Sequence, residues 1–148
     1  MTFKQLTKKY LKEHIKDYLD LISNWNYVLW QEENFLHELP KKWDYSFAVY
    51  DEDKLAGFCI ASNKIADAYY IHLIFISAEA RRKSLGKQML EHAKAIAKKN
   101  GVKRIELRCP ESNIVALGFY QQAGFKTIKK IQDEISGPEA DYYLVINF

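Results

Sequence analysis

The run from Ala68 to Ser77, AYYIHLIFIS, constrains this chain more than any other stretch. It is rich in aromatic and β-branched residues and apolar at both alternating sets of positions. A strand with two apolar faces belongs inside a sheet that is covered on both sides. A basic turn comes next, Arg81-Arg82-Lys83-Ser84-Leu85-Gly86-Lys87. From Leu85 to Lys99, Leu85, Met89, Leu90, Ala93, Ile96 and Ala97 recur at the spacing of one helix face. Asn100-Gly101 stops that helix, and Val102 to Cys109 is the next strand. Units of strand, turn, helix and strand hold ligands beyond the carboxyl ends of their strands. First-turn N–H groups of a helix lack intrahelical partners and carry partial positive charge. With Arg and Lys beside them they outline an anion site.

The remaining pattern fills in one domain. Thr2 to Leu6 reads as a short strand, Lys8 to Ile22 as a helix, and Trp25 to Leu39 as a second helix ended by Pro40. Tyr45 to Tyr50 and Leu55 to Ser62 are strands around a polar turn. Ser112-Asn113 opens a shorter helix that Gly124 closes, and Phe125 to Ile131 and Tyr142 to Phe148 are the last strands. The order implies a mixed sheet with helices on its faces, an α/β (α+β) layer fold over the whole of residues 1–148. A net charge of +3 is too small to argue for nucleic acid, and Lys98, Lys99, Lys103 and Arg104 lack interleaved aromatics. No apolar run approaches the roughly 20 residues of a membrane span. Met1 to Lys12 has no secretion-type apolar stretch, and two cysteines, Cys59 and Cys109, suit buried reduced thiols. A cytoplasmic protein without membrane association is expected.

The basic turn is neither a dinucleotide fingerprint nor a Walker A loop, since it has no G-x-G-x-x-G and no closing G-K-S or G-K-T. Taken alone it also suits a solvated turn. Its partner segment decides its meaning. Asn113-Ile114-Val115-Ala116-Leu117-Gly118-Phe119-Tyr120-Gln121-Gln122-Ala123-Gly124-Phe125 fits N-x-x-A-x-x-(L/F)-Y-x-x-x-G-F at every fixed position. Arg81 to Gly86 fits Arg or Gln, two residues, Gly, one residue, Gly or Ala, except at Ser84. Together, and in this order, the two segments resemble the GNAT superfamily of N-acetyltransferases. The resemblance implies a mostly antiparallel sheet of about seven strands flanked by about four helices. It also implies acetyl-CoA as co-substrate, no metal, and transfer of the acetyl group to a small-molecule, peptide or protein amine.

The resemblance further implies roles for individual residues. Arg81, Arg82, Lys83, Ser84, Leu85, Gly86 and Lys87 would receive the pyrophosphate, with Ser84 tolerated unless its backbone needs positive φ. The thioester arm would lie along Ile74, Phe75 and Ile76, whose side chains are equally explained as core. Ala116 and Phe119 would line the cofactor. Asn113 would bond the arm or cap its own helix, and Tyr120 would protonate the leaving thiolate or pack beneath the cofactor. His72 is the candidate base or water relay for the amine, and also suits a core histidine; Glu106 is a weaker candidate. A transient acetyl-cysteine at Cys109 is a minor route. Trp25, Tyr27 and Trp30, with the acidic loop Gln132 to Asp141, suggest a cationic acceptor, or a solvated loop and a core patch. A non-catalytic acyl-CoA-binding or regulatory domain is the alternative, and a homodimer is compatible with the fold.

Overall fold

Seven strands form one sheet: β1 Thr2–Gln5, β2 Phe47–Asp51, β3 Lys54–Ser62, β4 Tyr69–Ile76, β5 Arg104–Pro110, β6 Lys126–Ile131 and β7 Asp141–Asn147. Their spatial order is β1-β2-β3-β4-β5-β7-β6, and only β4 and β5 run parallel. The computed structural model describes residues 1–25 and 30–148. The helices are α1 Lys8–Glu13, α2 Ile15–Ile22, α3 Glu32–Leu36, α4 Lys42–Tyr45, α5 Leu85–Lys99 and α6 Ile114–Gln122. One core, with Phe47, Tyr69, Ile71, Leu85, Met89 and Leu107, lies between the sheet and α5. The other, with Leu11, Tyr18, Phe35, Phe58, Leu73 and Phe75, lies between the opposite face and α1 to α3. The central strand is thus buried on both sides, as its composition requires. Among the described residues no helix is long and apolar enough to cross a membrane.

The first helical region departs from its pattern. The continuous apolar spacing from Lys8 to Ile22 predicts one helix, but His14 leaves the helical region at φ −114° and ψ 14° and separates α1 from α2. Its ring stacks on Tyr10 at 4.0 Å. The helix expected over Trp25 to Leu39 comes down to α3, with Asn26 to Leu29 outside the described residues. A turn of helix, α4, forms just after Pro40, so the described residues hold six helices where about four were expected. Lys42 explains why α4 forms there. Its ammonium is buried and donates to the carbonyls of Phe35 at 2.7 Å and His37 at 2.5 Å, closing the carbonyl end of α3.

The central strand carries a β-bulge. Ile60 of β3 pairs with Leu73 and Ala61 pairs with Ile71, so His72 is an extra residue on β4. Alternation flips there: Tyr69 and Ile71 face α5, whereas Leu73 and Phe75 face α1 to α3. Pairing with β5 stops at the same place, after Tyr69–Ile105, Tyr70–Glu106 and Ile71–Leu107. From there β4 stays with β3 while β5 stays with β7 as far as Pro110. The β5-side backbone edge of residues 73–76 is left open in a wedge between the strands.

At the far end of β4 the chain turns through a 3₁₀ turn, Arg81–Lys83, and enters α5 from Ser84 at φ 59° and ψ 23°. That is the left-handed region, which costs an L-residue roughly 1–2 kcal/mol. The Ser84 side chain makes no capping hydrogen bond to offset the cost. Glycine relieves it but brings a more flexible unfolded chain, worth about 0.5–1 kcal/mol. Ser84→Gly is therefore expected to leave thermal stability unchanged or raise it by up to about 4 °C. A drop of several degrees by calorimetry would show that the side chain contributes something the backbone conformation does not account for.

Candidate active site

The wedge between β4 and β5 is closed at one end by the first turn of α5 and roofed by α6. These helices touch through Gly86. A β-carbon there would stand 2.9 Å from Phe119 Cζ and 3.2 Å from Ile76 Cδ1. Leu85 and Gly86 are buried, while Ile74, Ile76, Ala116 and Phe119 pack against the α5-side core and Phe75 against the other. The two sequence segments that the resemblance rests on therefore meet at one contact. Gly124, at φ 102°, makes the turn from α6 into β6.

The basic turn divides its charges. Arg81 folds back, with Nε donating to the Ile76 carbonyl at 3.1 Å and its guanidinium 5.7 Å from the Phe75 ring. Lys83 pairs with Asp51 at 3.2 Å. Arg82 and Lys87 are exposed and have no partner among the described residues. No side chain caps α5, so its first-turn N–H groups remain unclaimed by the protein. Asn113 behaves differently: its Oδ1 accepts from the Ala116 N–H at 3.3 Å and caps α6. The carboxamide nitrogen is left for other partners.

Tyr120 lies on the buried side of α6 against Phe119 and Phe125, with centroid separations of 5.4 and 5.5 Å. Its hydroxyl has no hydrogen-bond partner among the described residues, yet that oxygen is not sealed from solvent. Burial pushes the phenol well above its ordinary range, and the Cys109 and Cys59 sulfurs add to the shift. It therefore stays a proton donor throughout the neutral range. Burial also raises the Cys109 thiol to about 12, which leaves little thiolate at neutral pH for an acetyl-cysteine route.

His72 occupies the bulge. Its ring meets Tyr70 at 4.9 Å, and its Nε2 lies 2.7 Å from Ser62 Oγ. Ser62 is fully buried and its Oγ also accepts the Lys64 N–H at 3.1 Å, which ties the imidazole to the turn after β3. Burial lowers the His72 pKa to about 4, helped by Lys64, Lys42 and His37. At neutral pH it is an uncharged imidazole with weak proton affinity.

Along the far wall, polar residues alternate with core residues on β5. Glu106 is buried; it accepts from Arg104 Nε at 2.5 Å and also from the Tyr143 hydroxyl. Arg108 holds the loop before β7, with Nε on Asp141 at 3.0 Å and both terminal nitrogens on Asp133 at 2.8 and 3.2 Å. That pairing, with N–H bonds from Ser136 and Ile135, brings the Asp133 pKa down to about 2. Glu139 accepts from the Ser112 N–H and hydroxyl at 3.1 and 2.8 Å. The loop that suggests a cationic acceptor thus binds most of its carboxylates internally. Of the three aromatics grouped with it, Tyr27 lies outside the described residues. Trp25 packs on Phe75 at 4.7 Å and Trp30 on Phe35 at 5.0 Å. Sequence reasoning missed the Arg108 clamp, although charges at Arg104, Glu106 and Arg108 alternating with Ile105, Leu107 and Cys109 mark one polar strand face.

Comparison with known proteins agrees with this fold. The chain is 31% identical over 106 residues to the peptidyl-lysine N-acetyltransferase YjaB of Salmonella typhimurium, covering 71% of this chain but 63% of that protein. It is 24% identical over 144 residues to N-alpha-acetyltransferase 30 of Schizosaccharomyces pombe, covering 92% and 94% of the two. The crystal structure of the ribosomal-protein-S18-alanine N-acetyltransferase from Escherichia coli shares the fold at a TM-score of 0.81 and 21% identity, over 99% of this chain and 92% of that one. The family model for the GNAT acetyltransferases matches residues 11–125, which hold both segments and the strands that part between them, and the chain belongs to that family.

Proposed function

We propose that this chain is an acetyl-CoA-dependent N-acetyltransferase acting on a peptide or protein amine by direct attack in a ternary complex. The observation that carries the reading is the junction of an open strand edge with an unclaimed, positively charged helix start. A pyrophosphate suits the first-turn N–H groups of α5 with Arg82 and Lys87 beside them, and an extended amide-bearing arm suits the free edge at Ile74 to Ile76. Gly86 permits the close approach of Phe119 that shapes this groove. The Salmonella and yeast relatives, named for peptidyl-lysine and N-alpha acetylation, support an amine on a polypeptide as acceptor.

Bound acetyl-CoA supplies a thioester carbonyl carbon for the amine to attack. Backbone N–H groups near the bulge stabilise the charge that develops on the carbonyl oxygen. As the C–N bond forms and the C–S bond breaks, Tyr120 gives its phenolic proton to the departing sulfur. His72 orients the amine as a neutral imidazole, the amine's proton leaves to water, and water returns a proton to the Tyr120 phenolate. A non-catalytic acyl-CoA-binding domain would share the groove and lack the transfer.

Three measurements test the proposal. Calorimetric titration with acetyl-CoA is expected to show one site, followed by acetylation of amines in an acceptor panel; absence of binding at high micromolar ligand overturns the reading, and binding without transfer to any amine selects the alternative. Tyr120→Phe is expected to lower kcat by about 100-fold or more while acetyl-CoA affinity stays within about threefold. A kcat retained within about threefold removes Tyr120 from the acid role. The pH profile of kcat/KM is expected to follow ionisation of the acceptor amine, without an inflection near the ordinary histidine value, because His72 is held at about 4. An inflection between about pH 6 and 7 that disappears in His72→Gln would restore His72 as general base.

A further inference from the structure

A cavity of about 400 Å³ opens beside His72, between β3, α3 and α4, and its chemistry bears on the acceptor. It begins where the open edge of β4 begins, since His72 belongs to both. Trp30, Leu39 and Ile60 form its apolar wall. Its polar groups are mostly donors. Asn34 gives its Oδ1 to the Gln31 N–H at 2.8 Å, so its remaining carboxamide function is the NH₂. Lys64 is exposed, and its ammonium has no partner among the described residues. The carbonyls of Phe35 and His37, which would otherwise accept, are taken by Lys42. The cavity thus has one unpaired ammonium, Lys64, and one carboxylate, Glu33, while the Lys42 ammonium adds positive charge from beneath with its donors spent on α3. Across the wedge, meanwhile, Asp133, Asp141 and Glu139 already have internal partners.

We infer that this cavity receives a carboxylate carried by the acceptor, so that the preferred substrate is a polypeptide amine with an Asp or Glu beside it. The inference rests on the N-acetyltransferase reading of the site. Lys64 supplies the charge, Asn34 and His37 supply hydrogen bonds, and the apolar wall seats the side-chain stem. The occupied carbonyls of α3 offer nothing to a competing ammonium group.

The test uses matched short peptides that differ only in Glu, Gln or Lys beside the acceptor amine. Their binding to the protein with CoA present is measured by calorimetry, and their acetylation by CoA release. The Glu peptide is expected to bind about tenfold more tightly than the Gln peptide, with the gain appearing in KM rather than kcat, and to lose that advantage as salt is raised. In Lys64→Glu the order is expected to reverse in favour of the Lys peptide. Equal binding of the three peptides, or a Glu preference that survives in Lys64→Glu, overturns the inference. Peptide binding reads the cavity even where turnover is undetectable, whereas acetyl-CoA binding on the same protein reads the parent proposal.

Discussion

Three main-chain pairings, Tyr69–Ile105, Tyr70–Glu106 and Ile71–Leu107, join β4 to β5 before the strands part. The rest of the molecule depends on that short seam and on where it ends. The bulge at His72 turns β4 away from β5 while leaving it bonded to β3, and β5 keeps seven pairings with β7. Each half-sheet is therefore well bonded to its own neighbours, and the open wedge costs only the pairings between them. Underneath, the core shared by α5, Met89, Leu107 and Tyr120 keeps the halves from separating further. The flip in alternation at His72 lets one strand give Ile71 to one core and Leu73 to the other.

The wedge acquires chemistry from what stands at its ends. A helix that starts without a side-chain cap leaves N–H donors for an anion, and Ser84 is held left-handed to aim the chain into that start. The absence of a β-carbon at Gly86 allows α6 to lean in and place Phe119 against Ile76. Tyr120, the next residue on α6, packs into the α5-side core with a hydroxyl that nothing in the described protein engages. Burial keeps the phenol protonated throughout the neutral range, which is the state the proposed donation to a departing sulfur requires.

Charge is distributed unevenly about this framework. The acidic residues of the loop before β7 are held by Arg108 and Ser112, which makes that loop a fixed wall more than an electrostatic lure. Lys83 and Arg81 are likewise engaged, by Asp51 and by the end of β4. Arg82 and Lys87 at the helix start and Lys64 at the cavity have no partner among the described residues.

How much of this was legible in the chain depends on which interactions are local. The two-faced apolar strand, the stripe of α5, the Asn113 cap and Gly124 all act within a few residues, so spacing alone announced the sheet core and both later helices, while the pairing of the two segments came from their resemblance to the family. The splitting of the first helix at His14 and the turn of α4 were not legible, because stacking on Tyr10 and the Lys42 bonds to α3 override propensity. Nor was the fate of the acidic loop, whose carboxylates meet Arg108 from 25 and 33 positions away in sequence. By itself the sequence determined the strands, their order, the two later helices and the basic turn between β4 and α5, since these rest on local periodicity and capping. Only the tertiary structure decided where β4 leaves β5, which charges stay free and that His72 is a half-buried, weakly basic imidazole. Register, desolvation and pairing arise between segments that meet only when the chain has folded.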